Sequence, residues 1–389
     1  MLFRSGWFDD VSDGPVTVTV SIRGTSGTTR AATDPSDGAW VLCGPPDFAP
    51  RVRAAVTMYD LLYDLGVRSI PIPTSNGLYA NGQALAPMVA LKNDYRPGAD
   101  YEFPNATPSF DQDIYPILRA AYEFYWVTGL VTRKHESLMD ASLGDPSPAA
   151  LVDRQGVFVY LRPPLGINSS NGNRTMPHLL GDNPYPGQEP DAIRKLTLTR
   201  VQFALMRRWT DGNFIPPASK NTPPNPPALP PPQITPHGLD RAALENCVGG
   251  AFYPGIEAGW QIRNPQLYAE PFRLNLAALS PYLDENGAPE NTPIGPGHFS
   301  RQMALPWQAD FNDCKNEGDY GWWPSQRPDD ALPYYNAPQR IDWARPDVKF
   351  DSGSQTSTHA DMVANWWKFA FLIQQKDQII ETERNTPIP

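Results

Sequence analysis

Cysteine is scarce in this chain: Cys43, Cys247 and Cys314 are the three among 389 residues. Thiols this few and this far apart cannot form a disulfide framework, and none of the spacings suits a zinc knuckle. Histidine is nearly as sparse, with five scattered and no HxH or HxxxH pair, so no metal centre is read here. Positive charge is the minority sign: 32 Lys and Arg against 42 Asp and Glu leave −10, with no basic block. That excludes the electrostatic footprint of a nucleic-acid or anionic-membrane binder. Long apolar runs are missing too; the longest near the C-terminus, "MVANWWKFAFLI", is short and broken by Lys368. The first residues, "MLFRSGWFDD", hold no apolar leader, so no signal peptide is expected and the compartment stays open. Absent as well are GxGxxG after a strand, GxxxxGK[ST] and GxSxG, which sets aside nucleotide cofactors and serine hydrolysis.

What the chain has in quantity is proline and large rings: 45 Pro, 11 Trp and 16 Phe, with only 19% charged residues. Such a composition describes turns and ordered loops with aromatic side chains filling the spaces between them. "VTVTVSIRG" alternates strictly and predicts a half-buried strand, and "AWVLCG" predicts a second that buries Cys43. "VRAAVTMYDLLYDLG" and "DQDIYPILRAAYEFYWVTG" carry apolar residues at helical spacing, while "GVFVYLRPP" reads as a strand ended by prolines. In the second half, "DAIRKLTLTRVQFALMRRWTDG" and "LDRAALENC" predict helices, and "THADMVANWWKFAFLIQQKDQII" predicts a long terminal one. The proline-rich stretch over 215–238 predicts an extended strap. The expectation is an α+β protein, with a mixed N-terminal lobe carrying an antiparallel sheet over 1–192. A mainly helical, loop-rich lobe over 193–389 would hold the site.

Two segments stand out chemically. In "RAALENCVGGAFYPGIEAGW", Cys247 falls at a predicted helix end beside Gly249 and Gly250, where a tight backbone can present a side chain to an enclosed site. A thiol there could be a nucleophile, with His237 the nearest histidine as its base, or a small packed residue. In "RQMALPWQADFNDCKNEGDYGWWPSQRPDD", Trp307, Trp322 and Trp323 crowd thirty positions and either clamp a ligand or form a satellite core.

Together "CVGGAFYPGIEAGW", "MALPWQADFNDC" and "GWWPSQRPDD" resemble the LodA-like quinoproteins, the L-lysine ε-oxidase and glycine oxidase family, and the likeness extends from "GWFDDVSDGPV" to the C-terminus. The resemblance implies a cofactor made from the chain itself, cysteine tryptophylquinone, with Cys247 as the thioether cysteine and Trp307 as the quinone tryptophan, Trp322 in reserve. It implies oxidative deamination: the quinone carbonyl takes up a primary amine, a base removes the proton from the amine carbon, and water and oxygen release ammonia and hydrogen peroxide. Asp310, three positions after Trp307, is placed to take up ring protons, or is a loop cap. Glu257 is a candidate base, or a structural carboxylate. A flavoprotein maturation partner is implied, and a small amine or amino acid as substrate. Which amine it is, and whether the protein is a homo-oligomer, stay open.

Two departures from the family pattern follow. Family members carry an acid four residues before the cysteine, where this chain has Ala243; Asp240, two helical turns back, could substitute or act as a helix-start charge. Members also have a substantial segment before "GWFDDVSDGPV", so the chain reads as N-terminally truncated. A non-catalytic homologue with an unmodified Cys247, acting as a binding or structural protein, is the alternative from another class.

Overall fold

The computed structural model describes residues 11–33, 39–73, 77–98, 102–131, 133–167, 175–181, 194–218, 235–249, 259–280, 282, 286–303, 305–308, 323–331, 341–342, 363, 366, 371–375 and 378–382. Helices and small two-stranded antiparallel sheets make up its regular structure. Strand β1 (Ser12–Val16) pairs with β4 (Ala39–Cys43), and between them β2 (Thr19–Arg23) pairs with β3 (Thr29–Thr33). Helices α1 (Met58–Arg68), α2 (Ala86–Asp94), α3 (Tyr115–Glu123), α4 (Leu151–Phe158), α5 (Arg200–Thr210) and α6 (Pro236–Glu245) follow, with short 3-10 turns among them. Further on lie a one-turn helix α7 (Gly259–Ile262) and the paired strands β5 (Tyr268–Glu270) and β6 (Arg273–Leu274). The last described pair is β9 (Phe371–Gln375) with β10 (Gln378–Thr382), after the two-residue strands β7 (Asp330–Ala331) and β8 (Ile341–Asp342).

Helix α1 is the piece that positions the site. Its start is fixed by a capping box: the Thr57 hydroxyl accepts from the Asp60 amide at 3.1 Å, and the Asp60 carboxylate accepts from the Thr57 amide at 2.9 Å. Met58, Leu61, Leu62 and Leu65 point into one apolar cluster that also holds Phe48, Phe299, Trp307 and Trp366. Val67 joins the other cluster, built around Met88, Ile114, Met206 and Trp209. One helix therefore separates two cores. Both clusters draw on chain from before and after residue 192.

The motif "DVSDGPV" earns its place through Asp13. Its buried carboxylate accepts from the Trp40 indole N–H at 2.9 Å, the Phe299 amide at 3.1 Å, and the Ser300 amide and hydroxyl at 2.7 and 2.6 Å. Its backbone carbonyl accepts from Gly297 at 2.8 Å. This clasp ties the first strand pair to the stretch that leads into Trp307. Asp13→Ala strands these donors in a water-poor place, and we expect a loss of about 3 kcal/mol or more, read as a lower urea midpoint.

Several expectations change on contact with the structure. Of the alternating stretch, Val16 ends β1 and Thr19–Arg23 form β2, which is exposed along its length; among the described residues it pairs with β3 and joins neither core cluster. Cys43 is exposed: register with Ser12 turns Trp40 and Leu42 inward and leaves Ala39, Val41 and Cys43 outward. "GVFVYLRPP" is not a strand: its first three residues end α4, which runs from Leu151 through Phe158, a turn follows, and Leu161 makes an isolated bridge to Met176. Helix α1 does not stop at Gly66, which lies inside it where a Cβ would come within 2.9 Å of the Met88 sulfur. The second helical stretch opens as a π-helical turn, Phe110–Ile114, before α3. Residues 371–375 and 378–382 are the paired strands β9 and β10, not the end of a long helix; Phe371 and Leu372 meet the core, and the Leu372 amide donates to the Phe48 carbonyl at 2.8 Å. The N-terminal sheet is accordingly a set of two-stranded ribbons. Most of the proline-rich 215–238 lies outside the described residues.

Candidate functional site around Cys247 and Trp307

Helix α6 presents Cys247. Thr235 caps its start, accepting from the Gly238 amide at 3.0 Å, and Pro236 occupies the first turn, where a missing N–H costs nothing. Asn246 ends the helix, and the Cys247 thiol donates back to the Ala243 carbonyl at 3.5 Å. The chain then lies against the start of α1. The Met58 amide donates to the Cys247 carbonyl at 2.8 Å, the Gly249 amide donates to the Val56 carbonyl at 3.0 Å, and Val248 bridges Thr57. Gly249 is obligatory: a Cβ there would run into the Thr57 carbonyl and stand 2.5 Å from the Met58 nitrogen.

Ion pairs hold α6 in this place. Glu245 takes Arg241 at 2.9 Å and Arg53 at 3.4 Å, Arg53 also reaches Asp60 at 3.3 Å, and the Arg241 guanidinium lies 5.0 Å over the Tyr59 ring. Trp307 belongs to the apolar cluster that takes the Met58, Leu61, Leu62 and Leu65 side chains of α1. It is 1% exposed, meets Trp366 edge-on with centroids 5.7 Å apart, and shares its cluster with Met58, while Leu244 of α6 packs against that cluster. Met58 thus serves both partners, its amide holding Cys247 and its side chain packing with the apolar group that contains Trp307.

The Cys247 thiol is open to water on one side and crowded by protein on the others; the crowding first, and the charge of Asp47 second, push its pKa up. Asp47 was not singled out by sequence. It sits in "GPPDFAP", 200 positions before the cysteine, and nothing in its spacing marks it; only an acid wedged between prolines and a buried Phe48 could have hinted at it. Burial lifts its carboxyl to about 7, against the opposing hydrogen bond from the Ala49 amide at 2.9 Å.

Of the other predicted residues, Asp240 lies two turns before Cys247 on α6, exposed and about 10 Å away along the axis at ~1.5 Å per residue. Its crowded surroundings raise its carboxyl, opposed by His237 and Arg273, and its exposure to water screens the effect. His237 stands at the far end of the same helix, about 15 Å from Cys247 by the same arithmetic, buried with its Nε2 3.3 Å from the Tyr59 hydroxyl. The structure therefore does not bring His237 to the Cys247 thiol. Glu257, Asp310, Trp322 and Cys314 lie outside the described residues. Trp323, next to Trp322, is buried with φ 35°, and the turn after it accepts from the Phe48 and Ala49 amides at Gln326 and Ser325.

A cavity of about 370 Å³ opens beside α1, lined by Val56, Leu61, Asp64, Arg68, Lys195 and Arg200 among others. That volume falls within the range of small-ligand sites. Val56 joins it to the cysteine segment through its bond to Gly249. Among the described residues no helix is long and apolar enough to cross a membrane, and no cluster of His, Cys, Asp and Glu suits a metal.

The fold mixes helices with small antiparallel sheets. Residues 177–337 match the family described as the L-lysine epsilon oxidase C-terminal domain. The chain is similar to L-lysine 6-oxidase of Marinomonas mediterranea, 27% identical over 337 residues, which cover 79% of this chain and 41% of that protein. Its fold matches the crystal structure of L-Lys epsilon-oxidase from Marinomonas mediterranea in its Schiff base intermediate with L-Lys, with a TM-score of 0.65 at 21% identity, covering 99% of this chain and 65% of the other. A further crystal structure of that oxidase gives 0.65 at 21% identity, with coverages of 97% and 64%. Over residues 177–337 the chain is thus similar to the LodA-like family, and it spans about two fifths of the curated relative's length.

Proposed function

We propose that this chain oxidatively deaminates a primary amine or amino acid through a cysteine tryptophylquinone formed from Cys247 and Trp307. The observation that supports the reading is that the Met58 amide holds the Cys247 carbonyl while the Met58 side chain belongs to the apolar cluster that contains the buried Trp307. Such a group supplies a carbonyl that takes up the amine and a ring that accepts two electrons, which oxygen removes as hydrogen peroxide.

The chain's residues do the rest. Trp366, Met58 and Phe48 keep water from the Trp307 ring, and the bonds from Met58 and Gly249 hold the cysteine at the mouth of the cluster. Asp310 is the proposed proton acceptor beside Trp307, Glu257 the proposed base toward the amine carbon, and Trp322 the reserve ring. Asp240 stands as a proposed second acid on α6. The cavity beside α1 has Arg68, paired with Asp64, and Arg200, paired with Glu102, in its wall. A flavoprotein partner that installs the ring oxygens belongs to this proposal.

Peptide mapping of protein produced alongside that flavoprotein tests it. The peptide carrying Cys247 should be found joined to the one carrying Trp307, with two oxygens gained and four hydrogens lost. Unmodified peptides would instead favour a binding or structural protein.

A further inference from the structure

Glu245 stands in the last turn of α6 against local preference. A helix C-terminus favours cations, and a carboxylate four residues after Arg241 is the weaker order of such a pair on a helix. Its place is explained by α1. Arg53 turns one nitrogen, Nη2, toward two carboxylates: it donates to Asp60 Oδ1 and Oδ2 at 3.3 and 3.4 Å, and it lies 3.4 Å from Glu245 Oε1. Asp60 belongs to the start of α1, where its Oδ2 also accepts from the Thr57 amide at 2.9 Å and the Thr57 hydroxyl at 2.8 Å. Glu245 is two residues before Cys247.

The two chain ends that carry these carboxylates are the ones that dock. The Met58 amide donates to the Cys247 carbonyl at 2.8 Å, the Gly249 amide donates to the Val56 carbonyl at 3.0 Å, and Val248 bridges Thr57. Arg53 therefore spans the junction, with one carboxylate on each side of it. Its stem is fixed: Val52, Ala54, Ala55 and Val56 around it are buried, and the Val52 amide donates to the Ala49 carbonyl at 2.8 Å. The side chains of Arg53, Asp60 and Glu245 are 28%, 16% and 26% exposed, so water and salt screen their charges less than at an open surface. Without the guanidinium, two like charges would face each other across the junction.

We propose that Arg53 is a positioning residue for Cys247: its guanidinium holds the end of α6 on the start of α1 and so keeps Cys247 to Gly249 docked while the cofactor is made. It touches no reacting atom, and no proton or electron passes through it. The inference rests on the reading of Cys247 as a cofactor precursor.

Amide hydrogen exchange on the unmatured full chain reads the docking directly. In Arg53→Gln the Met58 and Gly249 amides, which make the docking bonds, should exchange about fivefold faster, while the amides of α5, in the other core, exchange as in wild type. An arginine that served stability alone would speed both sets alike. Arg53→Lys, which keeps the charge, should recover part of the protection. In a Glu245→Gln background the Arg53→Gln change should cost less than about twofold, since the repulsion it exposes is gone. Cross-link yield, read by intact mass after co-expression with the flavoprotein, should fall in Arg53→Gln and recover in the double variant. Unchanged exchange at Met58 and Gly249, equal acceleration in α5, or the same cost in both backgrounds overturns the inference alone. Absence of the cross-link in wild type overturns the oxidase reading instead, and the exchange rates still judge the docking.

Discussion

Cys247→Ser, produced with the flavoprotein partner, should lose amine-dependent hydrogen peroxide formation by about 1,000-fold or more, which corresponds to about 4 kcal/mol of transition-state stabilisation. The reason is covalent: a serine oxygen at this position cannot complete the thioether. The fold should hardly notice, since Cys247 is exposed and its thiol bonds weakly to the Ala243 carbonyl while its backbone makes the docking bonds; surface changes of this kind stay within about 0.5 kcal/mol. Trp307→Phe makes the complementary test. It keeps an aromatic ring beside Trp366, and it should abolish the cross-link as completely as the serine variant does. Peroxide formation that survives in Trp307→Phe, with Cys247 joined to another ring, would transfer the role to Trp322. Survival with no cross-link at all would remove the quinone from the explanation.

The second large effect belongs to Gly249, which touches no proposed reacting atom. In Gly249→Ala the new methyl has nowhere to go, because the Thr57 carbonyl and the Met58 nitrogen already occupy its place and both are backbone. Backbone cannot swing aside as a flexible side chain can. We expect a cost of about 3 kcal/mol or more, read as a fall in the urea midpoint. Relief by peeling 247–249 off α1 would break the bonds from Met58 and Gly249 and move the sulfur away from the cluster of Trp307. Cross-link yield should therefore drop together with stability, whereas Cys247→Ser separates the two. A Gly249→Ala protein that melts and cross-links as wild type would show that this docking does not position the cysteine.

Much of the local structure was legible. The capped starts of α1 and α6 follow from a Thr placed three residues before an acid in one and directly before Pro236 in the other. The amphipathic spacing of α5 announced its buried face. What misled were short apolar runs, which serve as strand or helix alike. "GVFVYLRPP" opens as the end of a helix already begun and then turns, and residues 371–375 went to a strand because β10 was there to pair with them. Alternation in "VTVTVSIRG" promised burial that β2 does not have, since a two-stranded ribbon with no layer behind it has no inside.

The sequence by itself determined the chemistry on offer: a solitary cysteine followed by glycines, tryptophans sixty and more residues later, and motifs long enough to resemble one family. Local signals of this kind survive without a fold because they depend on neighbours a few positions away. Tertiary structure alone decided that His237 faces Tyr59 and not the thiol, that Asp13 is a clasp, and that Asp47, 200 positions distant, is the carboxylate acting on Cys247. Burial and through-space charge set those roles, and both depend on which distant segments the two cores bring against α1.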